Sequence, residues 1–167
     1  MIKDFSLYFF LFVSLILWPD LLHAELLPFD ETSLKNIENN NKDKAFIMAM
    51  WSTECPPCLL EIQWLGEIKA KNPEINLVLI SADPISKDKE IRQNLKRYGL
   101  DAIDTWAFAH SFREKIIYSI DETWAGELPR SYLYDNKANR TTIKGRIAPS
   151  QLIELINPVN GNLSEPE

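Results

Sequence analysis

Only two cysteines occur in the 167 residues, and they stand two residues apart in Trp51-Ser52-Thr53-Glu54-Cys55-Pro56-Pro57-Cys58. An apolar run with strand character, Ala45-Phe46-Ile47-Met48-Ala49-Met50, leads into them, and a helical pattern from Leu59 to about Lys71 follows. At such a junction the first sulfur lies at a helix N-terminus, where backbone N–H groups without intrahelical partners and the helix dipole favour a thiolate. The chemistry this permits is thiol–disulfide exchange. A structural zinc site would need four ligands, yet there is no second cysteine pair, and His23 and His110 have no ligand spacing to the cysteines. A purely structural disulfide closing so short a loop gains little on the logarithmic loop model. Two unpaired buried thiols would sit badly beside a helix start and two prolines.

The chain that must position these sulfurs is 46% apolar and 25% charged, enough for one compact domain with a core that needs no disulfide staples. Its formal charge is −6 and no basic stripe appears, which excludes the electrostatic footprint of a nucleic-acid binder. Residues Phe5 to Trp18 are apolar except for Ser6 and Ser14 and follow Lys3. A run this short suits the core of a secretory signal better than a membrane span. The expectation is a signal peptide over residues 1–24, with an uncleaved anchor as the alternative, a domain over 25–158 and a polar tail over 159–167.

Asp30-Glu31-Thr32 caps a predicted short helix with Leu34 and Ile37 on one face and Phe29 packed back onto it; the Asn39-Asn40-Asn41-Lys42-Asp43 cluster ends it. The first core strand, Ala45 to Met50, is nearly all apolar, as a central parallel strand buried on both faces is. Ile75 to Ile80 reads as a second buried strand stopped by Ser81-Ala82-Asp83-Pro84. Lys87 to Tyr98 is a charged helix closed by Gly99, Trp106 to Ala109 a short strand, and Ser111 to Ile120 another helix. Tyr132–Asp135 and Thr141–Lys144 flank a turn at residues 136–139 and predict a hairpin. A last helix runs from Pro149 to Ile156. Helices alternating with strands, then a hairpin, predict an α/β fold with a mixed sheet, parallel first and antiparallel at the end, covered by helices on both faces.

With these elements in place, the chain resembles the thioredoxin-fold thiol:disulfide oxidoreductases of the exported TlpA/ResA-like group, from about Asp30 to Ile156. The stretch Phe46 to Cys58 resembles the group's strand-Trp-x-x-x-Cys-x-x-Cys signature. Gly126-Glu127-Leu128-Pro129-Arg130-Ser131-Tyr132 resembles the segment whose proline is cis and faces the active cysteines. Glu61, three residues after Cys58, matches a glutamate that the group carries near the buried thiol. Three features depart from the pattern: Ala49 stands where cytosolic thioredoxins bury an aspartate, no opening β-hairpin is evident, and Pro56-Pro57 replaces Gly-Pro.

The resemblance implies a redox-active Cys55–Cys58 disulfide, no cofactor and no bound metal. It also implies client proteins bearing disulfides or dithiols, a monomer in the periplasm, and a membrane electron donor. Cys55, at the helix tip, is expected to attack a client disulfide, and Cys58 to resolve the mixed disulfide. Glu61 falls between Leu65 and Ile68 on an otherwise apolar helix line, so its carboxyl is expected to be desolvated, raised in pKa and able to exchange the proton of Cys58. A client groove is expected around the cysteines with Trp51, Pro56, Pro57, Leu128 and Pro129, the backbone at Leu128 pairing with an extended segment and Trp124 as a docking surface. The two prolines remove N–H donors and Glu54 adds negative charge. Both push the Cys55 pKa upward, towards reductant rather than oxidant behaviour. The competing functions are a disulfide oxidant using the same site and a Cu(I)-binding chaperone, since soft sulfur ligands suit Cu(I).

Overall fold

The computed structural model describes residues 24–156. The expected signal peptide and polar tail lie almost wholly outside the described residues. Six strands form one sheet in the order β1-β4-β3-β2-β5-β6: β1 (Leu26–Phe29), β2 (Phe46–Trp51), β3 (Leu77–Pro84), β4 (Thr105–Phe108), β5 (Arg130–Tyr134) and β6 (Arg140–Lys144). The helices are α1 (Ser33–Asn40), α2 (Pro56–Lys71), α3 (Asp88–Arg97), α4 (Arg113–Ile120) and α5 (Pro149–Ile156), with a 3-10 turn at Ile85–Lys87. Pairing is parallel from β1 through β4 and β3 to β2, and antiparallel from β2 to β5 and β5 to β6. The mixed sheet is thus the one the element order predicts.

Strand alternation sorts the core into two layers. Ile47, Ala49 and Trp51 of β2 face one way, with Leu79 and Leu133, against Cys58, Ile62 and Leu65 of α2, Ile91 and Leu95 of α3 and Leu152 of α5. Phe46, Met48 and Met50 face the other way, with Ile80 and Tyr132, against Ile37 of α1 and Ile116, Ile117 and Ile120 of α4. All six residues of β2 are buried, as its unbroken apolar sequence requires. On the first layer α2 approaches the end of α3 so closely that a Cβ at Gly66 would lie 2.1 Å from the Tyr98 carbonyl oxygen.

Two strands differ from the sequence reading. β1 was not among the expected elements; its Pro28 is tolerated because β1 is an outer strand with one neighbour, β4. Ser81-Ala82-Asp83-Pro84 does not stop β3. The strand runs through Pro84, with an irregular register against β4 between Ser81 and Pro84. At the opposite margin, β6 exposes Arg140, Thr141, Thr142 and Lys144 and buries only Ile143. The short helix begins at Ser33 as expected, but its entry is held by Asp30, whose Oδ1 accepts from Thr32 N, Thr32 Oγ1 and Ser33 Oγ. Phe29 and Ile37 then share one core layer.

Candidate active site

The chain leaves β2 at Trp51, turns through Ser52-Thr53-Glu54 and enters α2 at Pro56 with Cys55 as the N-cap. From β2 the connections diverge, β3 pairing on one side and β5 on the other, and the loop beyond the carboxyl end of such a strand is where α/β sheets place their sites. Cys55 and Cys58 form a disulfide across one helical turn, with 5.2 Å between their Cα atoms. Their environments are unequal. Cys58 is fully buried, whereas Cys55 is part-exposed at the helix tip. Pro56 and Pro57 occupy the first two helical positions and have no N–H, so the first helical amide able to reach the Cys55 sulfur is that of Cys58, at 3.3 Å.

The loop before Cys55 is held by a residue to which the sequence reading gave no role. Asp83, buried at the end of β3, accepts from Ser52 Oγ through Oδ1 at 3.0 Å and from Thr53 N and Ser81 Oγ through Oδ2 at 2.7 and 2.9 Å. Burial pushes the Asp83 carboxyl up, but these hydrogen bonds outweigh it and hold the pKa below its ordinary 3.8. The Lys87 ammonium lies 3.6 Å from Asp83 Oδ1 and 2.5 Å from Glu54 Oε1. Glu54 therefore does not present an uncompensated negative charge beside Cys55, contrary to expectation, and only the two prolines act to raise the thiol pKa. A signal for Asp83 was available: an acidic residue near the carboxyl end of an apolar strand, the end of the sheet from which the cysteine loop leaves.

Glu61 is 2% exposed, one helical turn beyond Cys58 and on the sheet-facing side of α2. Ser131 Oγ donates to its Oε1 at 2.9 Å and Ile147 N to its Oε2 at 2.7 Å. Desolvation raises its pKa above the ordinary 4.5, against the lowering effects of these two hydrogen bonds and of the Arg146 charge. Each carboxylate oxygen retains a further lone pair, so the group can take a proton without giving up either partner. Ala49 pairs across β2 and β5 with Ser131, the residue whose hydroxyl donates to Glu61.

Leu128–Pro129 is a cis peptide, and Pro129 is buried immediately before β5. Because Arg130 pairs with Met50, this segment lies beside the β2 end that leads into the cysteines. Leu128 is part-buried and packs against both core layers, while Pro56 and Pro57 are exposed. The two tryptophans are not groove surfaces. Trp51 is 1% exposed in the layer that holds Cys58, and its indole N–H has no protein partner among the described residues. Trp124 is 3% exposed and donates its indole N–H to the Glu127 carbonyl at 2.8 Å. An apolar ring following an amphipathic helix was absorbed by the core, so the docking expectation for Trp124 is corrected.

Neither a protein-family model nor a curated protein matches the sequence. Solved structures do. The chain aligns with a secreted Mycobacterium tuberculosis disulfide oxidoreductase described as homologous to E. coli DsbE, at 17% identity over 72% of this chain and 86% of that one, TM-score 0.57. A thiol:disulfide interchange protein of the thioredoxin family from Chlorobium tepidum aligns at 20% identity, over 72% and 83%, TM-score 0.57. A thioredoxin-related protein from Neisseria meningitidis serogroup B aligns at 23%, over 68% and 83%, TM-score 0.54. The fold is the thioredoxin fold. On this fold the Cys55–Cys58 disulfide begins the helix that follows β2, and the cis Leu128–Pro129 peptide leads into β5, the strand that pairs with β2.

Proposed function

We propose that this protein is an exported thiol:disulfide oxidoreductase that reduces disulfides of client proteins in the periplasm. The observation that carries the reading is the asymmetry of the two sulfurs. One is part-exposed at a helix N-terminus, and the other is buried one turn from a desolvated carboxyl. The reduced protein uses the Cys55 thiolate to attack one sulfur of a client disulfide. That bond breaks, a Cys55–client disulfide forms, and the departing client sulfur takes a proton. Cys58 then loses its proton to Glu61 and attacks the Cys55 sulfur. The second client sulfur leaves and is protonated, so two electrons have passed from the protein to the client.

Export rests on the N-terminal apolar run and on the secreted character stated for the M. tuberculosis neighbour. No helix among the described residues is long and apolar enough to cross a membrane. Since an oxidising compartment would not leave such a dithiol reduced, the cycle needs a membrane electron donor. No cofactor enters the scheme.

Insulin reduction driven by dithiothreitol, run beside a Cu(I) titration of the reduced protein, tests the proposal. Turnover that disappears in Cys55→Ser supports it. Tight stoichiometric Cu(I) binding without insulin turnover would replace it with the copper-chaperone reading. Among the described residues no three metal-binding side chains converge, and both oxygens of Glu61 already accept hydrogen bonds.

A further inference from the structure

The segment that delivers Leu128 and Pro129 to the site, Asp121 to Glu127, is organised around one side chain. Arg130 opens β5 directly after the cis peptide and is 1% exposed. Each nitrogen of its guanidinium has a partner: Nε donates to Tyr132 Oη at 3.1 Å, Nη1 to Glu127 Oε1 at 2.9 Å and Nη2 to Asp121 Oδ2 at 2.5 Å. Tyr132 Oη in turn donates to Asp121 Oδ2 at 3.3 Å. The Trp124 and Tyr132 ring centroids lie 5.9 and 5.5 Å from Cζ. The two carboxylates also fold the loop itself, Asp121 Oδ1 accepting from Thr123 N and Oγ1 and Glu127 Oε2 from Ala125 N.

The first and last residues of the loop are therefore tied to a single buried cation. A charge withdrawn from water is expensive unless it is paired, and a purely stabilising role would be filled as well by apolar packing. What the guanidinium supplies that apolar packing does not is direction: a planar fork that holds two carboxylates at fixed positions. Arg130 and Tyr132 project to the α4 side of the sheet, whereas Ser131, between them, projects to Glu61 on the α2 side. The cation thus holds the loop without touching the sulfurs or the carboxyl that serves them.

We propose that Arg130 is a positioning residue for client binding, fixing the Leu128 backbone where it can pair with a client segment. This rests on the thiol-exchange reading. It predicts a split between substrates, because a small disulfide needs only the sulfurs and a protein disulfide also needs the strand-like backbone.

The test compares insulin, with dithiothreitol as the electron source, and dipyridyl disulfide, mixed with pre-reduced protein freed of dithiothreitol, for the full domain and its Arg130→Met, Arg130→Lys and Glu127→Gln variants. For Arg130→Met the insulin KM should rise about tenfold with kcat nearly unchanged. The rate with dipyridyl disulfide and the Cys55–Cys58 potential should stay at the parent values. Arg130→Lys, which keeps the charge but not the fork, should not restore the insulin KM. Glu127→Gln releases one end of the loop only and should give a smaller rise; it carries the test if Arg130→Met does not fold. An unchanged insulin KM, or an equal loss on both disulfides, would overturn the inference while leaving the exchange reading intact. A parent protein that turns over neither disulfide would sink both.

Discussion

On the proposed mechanism Cys58→Ser leaves the attacking sulfur in place and removes the one that resolves, so client proteins should accumulate as mixed disulfides through Cys55. Cys55→Ser should trap none, and mass spectrometry of the adducts would expose a reversed assignment. Glu61→Gln tests the proton route. The amide can still accept from Ile147 N and donate to the Ser131 hydroxyl, so the fold is kept while the exchangeable proton is lost. Resolution of a preformed mixed disulfide should slow by about a hundredfold at neutral pH. The same substitution should change the pH dependence of stability. Between pH 4.5 and the raised pKa of Glu61, the folded state holds a proton that the unfolded state has lost, so stability falls as pH rises through that window. Denaturation of the oxidised Glu61→Gln variant should show a flatter profile there. The two sulfurs and the burial of Glu61 were legible in the sequence, because motif spacing and helix phase are local properties. Ser131 and the Ile147 amide, 70 and 86 residues away from Glu61, were not, because only the tertiary fold brings them to it.

The strand and helix that carry the cysteines were readable as elements: a six-residue apolar run cannot be a surface segment, and two prolines after Cys55 mark a first helical turn. Where the reading slipped, sheet pairing overrode a local signal. The four residues of β1 carry no alternation that marks a strand, yet pairing with β4 makes one of them, and an outer strand with one partner tolerates Pro28. Pro84 argued for a stop, yet β3 continues far enough to place Asp83 under the loop before Cys55. That strand end has a function of its own. Asp83→Ala would leave the Thr53 amide and the Ser52 hydroxyl without their acceptor and should cost about 2–4 kcal/mol. It should also move the Cys55 thiol titration, measurable by thiolate absorbance in the reduced protein. A stability loss with an unmoved titration would reduce Asp83 to a structural anchor. Because the folded pKa of Asp83 is depressed, its contribution is present above its ordinary 3.8 and is lost as pH falls below that value, opposite in sign to that of Glu61.

At the scale of the molecule, the direction of electron flow follows from how far the fold stabilises the Cys55 thiolate. With prolines at the first two positions of α2, fewer amides can reach that sulfur, which favours the disulfide form relative to a strong oxidant. The midpoint potential should lie nearer the about −270 mV of thioredoxin than the about −120 mV of DsbA. Equilibration in glutathione and dithiothreitol buffers measures it, and a value near the upper figure would reverse the proposed direction. The margins of the sheet bear on a different hazard. Under the proposed function the protein would meet partly unfolded clients, whose strands seek any unpaired backbone. β1 offers a proline in the middle of four residues, and β6 a row of solvated Arg140, Thr141, Thr142 and Lys144. Neither rim is a good template for fibril growth or co-aggregation. Replacing Arg140 and Lys144 together with valine should turn a solution that scatters little light at high concentration into one that clouds when mixed with a reduced, unfolding client.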